Sequence, residues 1–308
     1  DDRLARVVGQ SIPLRAVQIA AAGGHNVLLC GPPGCGKTML ARGLAGILPP
    51  LDQKAALEVA MIRSAAGHPP DLPRFTVPPF RSPHHTSSVV AMVGGGAVPR
   101  PGEVSLAHRG VLLLDEFPEF SRMAIDALRE PIEDGVITIA RASGTVSMPA
   151  KALVVATMNP DRGPADGGGR GRRGLDRIGA PMRDRFDLQV EVRPPPLDYF
   201  IDGVKRGEDL GPVRIRVEQA RGLAMDRGGV LNAELTGRHL DLATKIDTDD
   251  LRHLVRSVGE LGLSVRSLDR VRRIARTIAD LESDPRIRRA HIDEALSFRI
   301  FDRGDPPP

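Results

Sequence analysis

The sequence predicts an α/β fold, in which helices cover both faces of a parallel β-sheet, followed by a smaller all-helical region. Three observations support this prediction. Residues 27–30 form a short apolar run that leads into a glycine-rich loop and then a helical pattern. Residues 111–114 form a second apolar run, typical of a strand buried on both faces of a parallel sheet, and it ends in two carboxylates. Beyond residues 194–196, three consecutive prolines, the hydrophobic spacing is helical only.

The composition is that of a globular protein with room for two domains. The chain has 308 residues, with 3% aromatic residues and no Trp, so aliphatic side chains must fill the cores. The formal net charge of +4 permits a nucleic-acid partner without requiring one. Cys30 and Cys35 are predicted to be reduced thiols, which indicates a reducing compartment. With no apolar run near the ~18 residues of a membrane span and no leader, we expect a cytoplasmic protein without a membrane partner.

The glycine-rich loop fits the phosphate-binding pattern GxxxxGK[ST] without a mismatch. Its glycines let backbone N–H groups face an anion, and the helix that follows adds the positive end of its dipole. Lys37 is placed to reach the β and γ phosphates of ATP, and Thr38 to ligate Mg²⁺. A plain glycine-rich turn would give the Lys-Thr pair no role. The predicted nucleotide-binding residues here are Gly31, Pro32, Pro33, Gly34, Cys35, Gly36, Lys37, Thr38 and Met39.

A second candidate for nucleotide contact precedes the loop. Gly9 and Gln10 stand just before a predicted helix over 13–22, close to the first strand. Segments in this position often pack on the adenine base. The alternative is an ordinary helix start, and the sequence leaves both interpretations open.

Polar residues that follow the other buried strands are candidates for catalysis. Asp115 suits a water-mediated contact with Mg²⁺, and Glu116 suits polarisation of the attacking water. Asn159 ends the apolar run 153–158 and is placed to orient that water. The alternatives are a helix-capping acid for the carboxylates and a turn residue before Pro160 for Asn159.

The remaining pattern divides the chain into a core at 1–193, a linker at 194–212, a helical lid at 213–303 and a disordered tail at 304–308. In the core we expect a β-hairpin from strands 136–141 and 145–148, and a last strand at 188–192. Ser121 and Ser267 are predicted helix N-caps. The predicted helices are 39–48, 54–66, 121–134, 213–226, 233–243, 248–260, 267–282 and 290–301.

Three features have two interpretations each. The Arg- and Gly-rich stretch 161–178 is either a phosphate-gripping loop or a solvated insertion. Arg141, near the hairpin tip, either touches a polymer or is a solvated residue. His84 and His85 are adjacent, so we expect their side chains to point apart and to serve loop packing or a partner contact rather than a joint metal site.

Together these motifs resemble an AAA+ ATPase of the magnesium-chelatase-like group, of the ComM/YifB type. The phosphate loop, Asp115 with Glu116, Asn159, the Arg185 segment and a helical lid follow in the order of that family. The matching stretches include AAAGGHNVLLCGPPGCGKTMLA, PFRSPHHT, LREPIEDGVITIARASG and ARTIADLE, and the likeness runs over about residues 8 to 300.

The resemblance implies a homo-oligomeric ring, expected to be a hexamer, with ATP bound between subunits. It places the arginine finger at Arg185, with Arg183 as the alternative, and the second sensor at Arg266, with Arg270 as the alternative. Hairpins near 84–104 and 136–148 match two insertions of the family. Two departures stand out. The sequence lacks the family's N-terminal domain resembling that of Lon proteases, and residues 161–169 lack its cysteines, so no metal role is expected there.

The function implied is Mg²⁺-dependent ATP hydrolysis by a ring-forming motor. ComM-like proteins are DNA branch-migration helicases, so DNA is the expected partner. The first alternative is the motor subunit of a magnesium chelatase, which drives Mg²⁺ insertion into protoporphyrin through partner subunits. The second is an ATP-gated assembly module with negligible turnover.

Overall fold

The computed structural model describes residues 4–7, 9–69, 71–141, 144–160, 172–195 and 209–302. Most of the Arg- and Gly-rich stretch, the greater part of the predicted linker, the Arg141 side chain and the predicted tail lie outside this described part. Among the described residues, no helix is both long enough and apolar enough to cross a membrane.

A five-stranded parallel sheet forms the centre of the molecule, as predicted. Its strands, in chain order, are β1 (Val27–Cys30), β2 (Phe80–Arg81), β3 (Val111–Leu114), β6 (Leu153–Met158) and β7 (Leu188–Glu191). Their order across the sheet is β2-β3-β6-β1-β7, and every pairing is parallel. Every residue of β1, β3 and β6 is buried, because helices cover both faces. The carboxyl ends of β3, β6 and β1 therefore lie side by side at one edge.

The two strands between β3 and β6 form the predicted antiparallel hairpin. β4 (Val136–Arg141) pairs with β5 (Gly144–Pro149), from Val136 opposite Pro149 to Arg141 opposite Gly144. Five of the six residues of β5 are exposed, and Met148 is buried. The hairpin thus stands apart from the central sheet and presents a solvent-facing strand.

The helices fall into two groups along the chain. Those around the sheet are α1 (Ser11–Gly23), α2 (Lys37–Ile47), α3 (Gln53–Ala65), α4 (Val89–Val93), α5 (Glu103–Leu106), α6 (Arg122–Ala127), α7 (Arg129–Asp134), α8 (Arg172–Ile178) and α9 (Ala180–Arg183). Those of the C-terminal region are α10 (Leu210–Gly228), α11 (Gly237–Ala243), α12 (Thr248–Glu260), α13 (Val265–Leu281) and α14 (Arg289–Ser297).

The helical C-terminal region shares a hydrophobic core with one face of the sheet. Val217 of α10 and Ile274 and Ile278 of α13 belong to the same buried cluster as Ala20 of α1 and Leu29 of β1. A second cluster, on the other face of the sheet, contains Leu112, Phe117, Ile125 and Phe186. The lid is therefore docked on α1 by apolar packing.

Five local expectations differ from the structure. The helix predicted over 121–134 is broken at Leu128, because Pro131 has no N–H to donate to the carbonyl of residue 127. Residues 84–104 contain α4, α5 and a single antiparallel bridge between Gly95 and Arg100 in place of a full hairpin.

The other three differences concern the lid. The helix predicted over 233–243 is replaced by a 3₁₀ turn at Asn232–Glu234 and by α11, which begins at Gly237. The N-cap of α13 is Ser264 instead of Ser267, which is buried within the helix. The last helix ends at Ser297 rather than 301, and Arg299 forms a parallel bridge with Gln189 of β7. By contrast, the predicted cap of α6 is confirmed, since the Ser121 hydroxyl accepts a hydrogen bond from Ala124 N at 3.2 Å.

Candidate active site

The phosphate loop connects β1 to α2 and has the geometry that its glycines require. Gly34 and Gly36 have φ values of 79° and 96°, in the left-handed region that favours glycine. A Cβ at Gly31 would lie 2.1 Å from Val192 O, so no side chain fits there. A Cβ at Gly34 would meet no atom within 4 Å, which means that the space over the loop is open. The loop is therefore a cradle with room for phosphate groups.

Lys37 lies at the base of this cradle. It is buried, and its Nζ donates to Gly31 O at 2.7 Å and to Pro32 O at 2.9 Å. Nζ also donates to Asn159 Oδ1 at 3.0 Å. The ammonium thus joins the loop to the end of β6, and it is held by neutral oxygens that anionic phosphate oxygens could replace.

The predicted Mg²⁺ ligands lie together at the ends of β3 and α2. Thr38 Oγ1 is 3.2 Å from Asp115 Oδ2, and Thr157 Oγ1 donates to Asp115 Oδ1 at 2.6 Å. Hydroxyl and carboxylate oxygens are the ligands that Mg²⁺ prefers, so the donor set fits this ion. Thr157 was missed in the sequence analysis, although a polar residue inside the apolar run 153–158 was a signal for it.

Thr157 also fixes the backbone at Glu116, because Glu116 N donates to Thr157 Oγ1 at 3.0 Å. Glu116 has φ 53° and ψ 48°, a left-handed conformation that is unusual for a side chain of this size. Its side chain is 54% exposed and is therefore accessible to a water molecule. Glu116 and Asn159 both line a cleft of about 270 Å³, together with Pro118, Glu119, Pro160, Gly174 and Arg177.

His85 approaches this cleft from the loop after β2. Its Nδ1 lies 3.9 Å from Glu116 Oε2, beyond hydrogen-bond distance. The His84 and His85 rings stack with centroids 4.1 Å apart, so the expectation that their side chains point apart is wrong. That expectation assumed a strand, whereas residues 84 and 85 lie in a loop.

Gln10 lies against the phosphate loop. Its Nε2 donates to Cys35 O at 2.8 Å and to Arg193 O at 3.1 Å, which ties the loop to the end of β7. Gly9 precedes it with φ 72°, and Met39 is in the first turn of α2. Both cysteines are free thiols. The adenine contact of Gly9 and Gln10 stays a prediction.

The two candidate arginine fingers follow α8. Arg185 is anchored on α7: its Nε donates to Arg129 O at 3.2 Å, and its Nη2 pairs with Glu133. Among the described residues the only other hydrogen bond of its side chain goes to Pro181 O, so the guanidinium is not bonded to the phosphate loop of its own chain. Arg183 has a buried Nε without a hydrogen-bond partner in the described part of the chain.

The two candidate second sensors have different surroundings. Arg266 is exposed in the first turn of α13, and it makes no hydrogen bond or ion pair with any residue that the structure describes. Arg270, one turn later, pairs with Asp184, and its Nε lies 3.5 Å from Asp187 Oδ1. Of the two, Arg266 is therefore the one available to a ligand.

Comparison with protein families decides the class. The family model of magnesium chelatase, subunit ChlI, matches residues 3–198, and the model of the ChlI C-terminal region matches residues 207–299. The chain belongs to the magnesium chelatase subunit ChlI family. This membership confirms the resemblance and the predicted fold class, a nucleotide-binding α/β domain followed by a helical domain.

Individual relatives place the chain within the ChlI family. It is 46% identical to the protein YifB of Salmonella typhimurium, over 96% of this chain and 60% of that protein. It is 42% identical to the competence protein ComM of Haemophilus influenzae, over 97% and 60%. It is 26% identical to the magnesium-chelatase 38 kDa subunit of Acidiphilium rubrum, over 97% and 90%. The chain thus spans about 60% of the length of its YifB and ComM relatives.

Proposed function

We propose that this protein binds ATP with Mg²⁺ and hydrolyses it, and that hydrolysis drives movement along DNA. The observation that carries the ATPase proposal is the contact of Lys37 with Asn159 and of Thr38 with Asp115, which Glu116 follows, at the carboxyl edge of β1, β6 and β3. These residues come from the segments that follow three separate strands, and phosphoryl transfer to water requires such groups at one site.

Each side chain has a distinct part in the proposed reaction. Lys37 would exchange its bonds to Gly31 O and Pro32 O for oxygens of the β and γ phosphates. Thr38 and Asp115 would hold Mg²⁺, which when bound supplies positive charge against the phosphate oxygens. Glu116 would accept a proton from the attacking water, and Asn159 would orient that water from the other side of the cleft.

The arginine finger is proposed to act between subunits. Arg185 is anchored to α7 of its own chain, away from its own phosphate loop, which supports a role at a neighbour's nucleotide. An arginine at the transferring phosphate stabilises the charge that develops there. Arg266, exposed on α13, would be the second sensor. The active form would then be a ring, with Arg185 completing each adjacent site.

DNA as the substrate of movement is supported by the ComM relative and by the exposed face of the β4–β5 hairpin. The net charge of +4 is compatible with a polyanion. A second candidate is the motor subunit of a magnesium chelatase. The observation that favours it is the Acidiphilium rubrum relative, of which this chain covers 90%.

The test is the ATPase rate with and without branched and single-stranded DNA, at low and moderate salt. Glu116→Gln is the blank. Stimulation by DNA that fades as salt rises would support the nucleic-acid motor, because phosphate contacts release counterions. Stimulation only by a porphyrin-binding partner would favour the chelatase motor. ATP-dependent oligomerisation without turnover above the blank would overturn the ATPase proposal and favour an assembly module.

A further inference from the structure

The segment that contains Arg185 is tied to the lid by charged side chains on both sides of that arginine. Asp184 pairs with Arg270 of α13, and the Arg270 guanidinium also approaches Asp187. Only 15% of the Arg270 side chain is exposed. One arginine of the lid therefore bridges the residues that flank Arg185 and Phe186.

His25 makes a second link between the same segment and the same helix. It is fully buried between α1 and β1. Its Nδ1 lies 3.0 Å from Asp187 Oδ2, and its Nε2 lies 2.8 Å from Thr277 Oγ1 of α13. Thr277 is about two turns beyond Arg270, so α13 is held to residues 184–187 at two separated points.

Arg299 supplies a third link from the end of the lid. Its side chain is fully buried, and its Nη1 donates to Phe186 O at 2.6 Å and to Asp187 O at 2.9 Å. The backbone after Arg185 is thus fixed by a buried guanidinium. Because buried charged hydrogen bonds are costly to leave unmade, this segment and the lid are expected to move as one body.

This linkage connects two arginines that have proposed roles in ATP hydrolysis. Arg266, the proposed sensor, lies one helical turn before Arg270 on α13, and Arg185 lies next to Asp184. We propose that Arg270 is a positioning residue that couples the lid to Arg185. The lid position set by one subunit's nucleotide would thereby set the arginine presented to the neighbour's ATP. This inference rests on the proposed ATPase function.

The test compares Arg270→Gln with Arg270→Lys and a matched control, Arg272→Gln. Arg272 is on the same helix with 17% side-chain exposure, but its ion pairs, with Asp241 and Asp269, are within the lid. Arg270→Gln is expected to lower kcat for ATP ~10–100-fold, the scale of a small misplacement of a catalytic group. KM and the Kd of a fluorescent ATP analogue should stay within about twofold. Arg270→Lys should recover part of kcat, and Arg272→Gln should leave kcat unchanged.

Subunit mixing separates positioning between subunits from a merely structural role. Arg270→Gln subunits have an intact phosphate loop, whereas Glu116→Gln subunits keep the ATP-binding loop together with an intact Arg185 and Arg270. A mixture of the two should hydrolyse ATP faster than the sum of the separate variants, because the second supplies the arginine for the first. A mixture of Arg272→Gln and Glu116→Gln serves as the control and should show no gain above that sum.

Three results would overturn the inference. One is an Arg270→Gln kcat equal to that of the parent. The second is a rise in KM as large as the fall in kcat, together with a loss of thermal stability. The third is a mixture of the two variants that hydrolyses ATP no faster than the sum of the separate variants. If the parent itself shows no turnover above Glu116→Gln, the proposed function fails and this inference fails with it. If the parent hydrolyses ATP and any of the three results is obtained, the coupling is refuted and the proposed ATPase function is not.

Discussion

The phosphate-loop edge and the junction between residues 184–187 and α13 are both polar, but they are built in opposite ways. At the loop edge, Lys37 is held by neutral carbonyl and amide oxygens, and Glu116 is more than half exposed. At the junction, His25 and Arg299 are fully buried and bound to partners from distant parts of the chain.

The side chains at the loop edge can therefore exchange their present partners for a ligand, whereas those at the junction keep theirs. We call the loop edge the exchanging region. A ligand can replace the bonds at the loop edge at little cost, because solvent and weak acceptors are already present there. Breaking the junction would leave charges without partners in a buried site, which is far more costly. Substitutions should therefore affect chemistry in the first region and stability or coupling in the second.

The largest expected effect tests whether Arg185 belongs with the exchanging region. Arg185→Ala should lower kcat by about 10³–10⁵-fold, as loss of an arginine finger does in related chemistry. ATP binding, measured by titration of a fluorescent analogue, should persist. Arg122→Ala is the control, since this arginine of α6 is 57% exposed, pairs with Asp126 and donates to Arg177 O. Normal turnover in the Arg185 variant would remove its assignment.

The next effect concerns stability. Asp280 of α13 is buried with Arg227, Arg276 and Asn232 around its carboxylate. Asp280→Asn should lower the free energy of unfolding by about 3–5 kcal/mol, because it leaves buried guanidinium charge uncompensated. Urea denaturation measures this. Asp269→Asn, on the same helix but half exposed, should change stability by less than about 1 kcal/mol. Equal losses in the two variants would contradict the expectation that a buried ion pair is more costly to break than an exposed one.

Lys37→Ala should show the reverse of Asp280→Asn, with a large effect on ATP binding and a smaller effect on stability. Loss of two charge-assisted hydrogen bonds to phosphate, each worth about 1.5 kcal/mol, predicts ~10²-fold weaker ATP binding. The free energy of unfolding should change less than in Asp280→Asn, since the partners lost are loop carbonyls. Lys54→Ala, exposed on α3, is the control for charge. Unchanged ATP affinity in Lys37→Ala would exclude the loop as the nucleotide site.

The smallest effect is the pH dependence of the junction. Burial would raise the pKa of Asp187, but the hydrogen bond from His25 and the charges of His25, Arg270 and Arg273 outweigh it and lower that pKa. A depressed pKa contributes stability that is present above the unfolded value near 4 and is lost as pH falls through the folded value. The urea concentration at the midpoint of unfolding should therefore decrease as the pH is lowered below about 4. Asp187→Asn should show a shallower fall, and an identical profile would argue against this contribution.

The exchanging region could be predicted almost entirely from sequence. Its carboxylates and Asn159 directly follow buried strands, and the carboxyl ends of adjacent parallel strands must meet. Asp115, Glu116 and Asn159 are predicted in this way, whereas Lys37 is predicted by its place in the GxxxxGK[ST] pattern. Thr157 was missed because it lies inside a strand, where a polar residue has no fixed meaning until its neighbour is known.

The junction could not be predicted, because its residues become meaningful only in pairs that the fold creates. His25 and Thr277 are 252 residues apart, and Arg299 is 113 residues from Phe186. Arg299 was expected within a helix over 290–301, and only contact with β7 shows why the helix ends earlier. Spacing alone carries no such long-range information, whereas the break before Pro131 was visible in the sequence and was overlooked.

The short pairing between Arg299 and Gln189 also covers the outer edge of the sheet. Gln189 N donates to Phe298 O at 2.8 Å, and Phe301 N donates to the Gln189 side chain 112 residues away. An uncovered edge strand is a template for pairing with other chains. We therefore expect β7 to remain aggregation-prone until residues 298–302 have been synthesised and pair with it. During synthesis the nucleotide-binding domain must wait for the whole lid before its sheet is sealed. Folding of the two parts is thereby joined in time as well as in space.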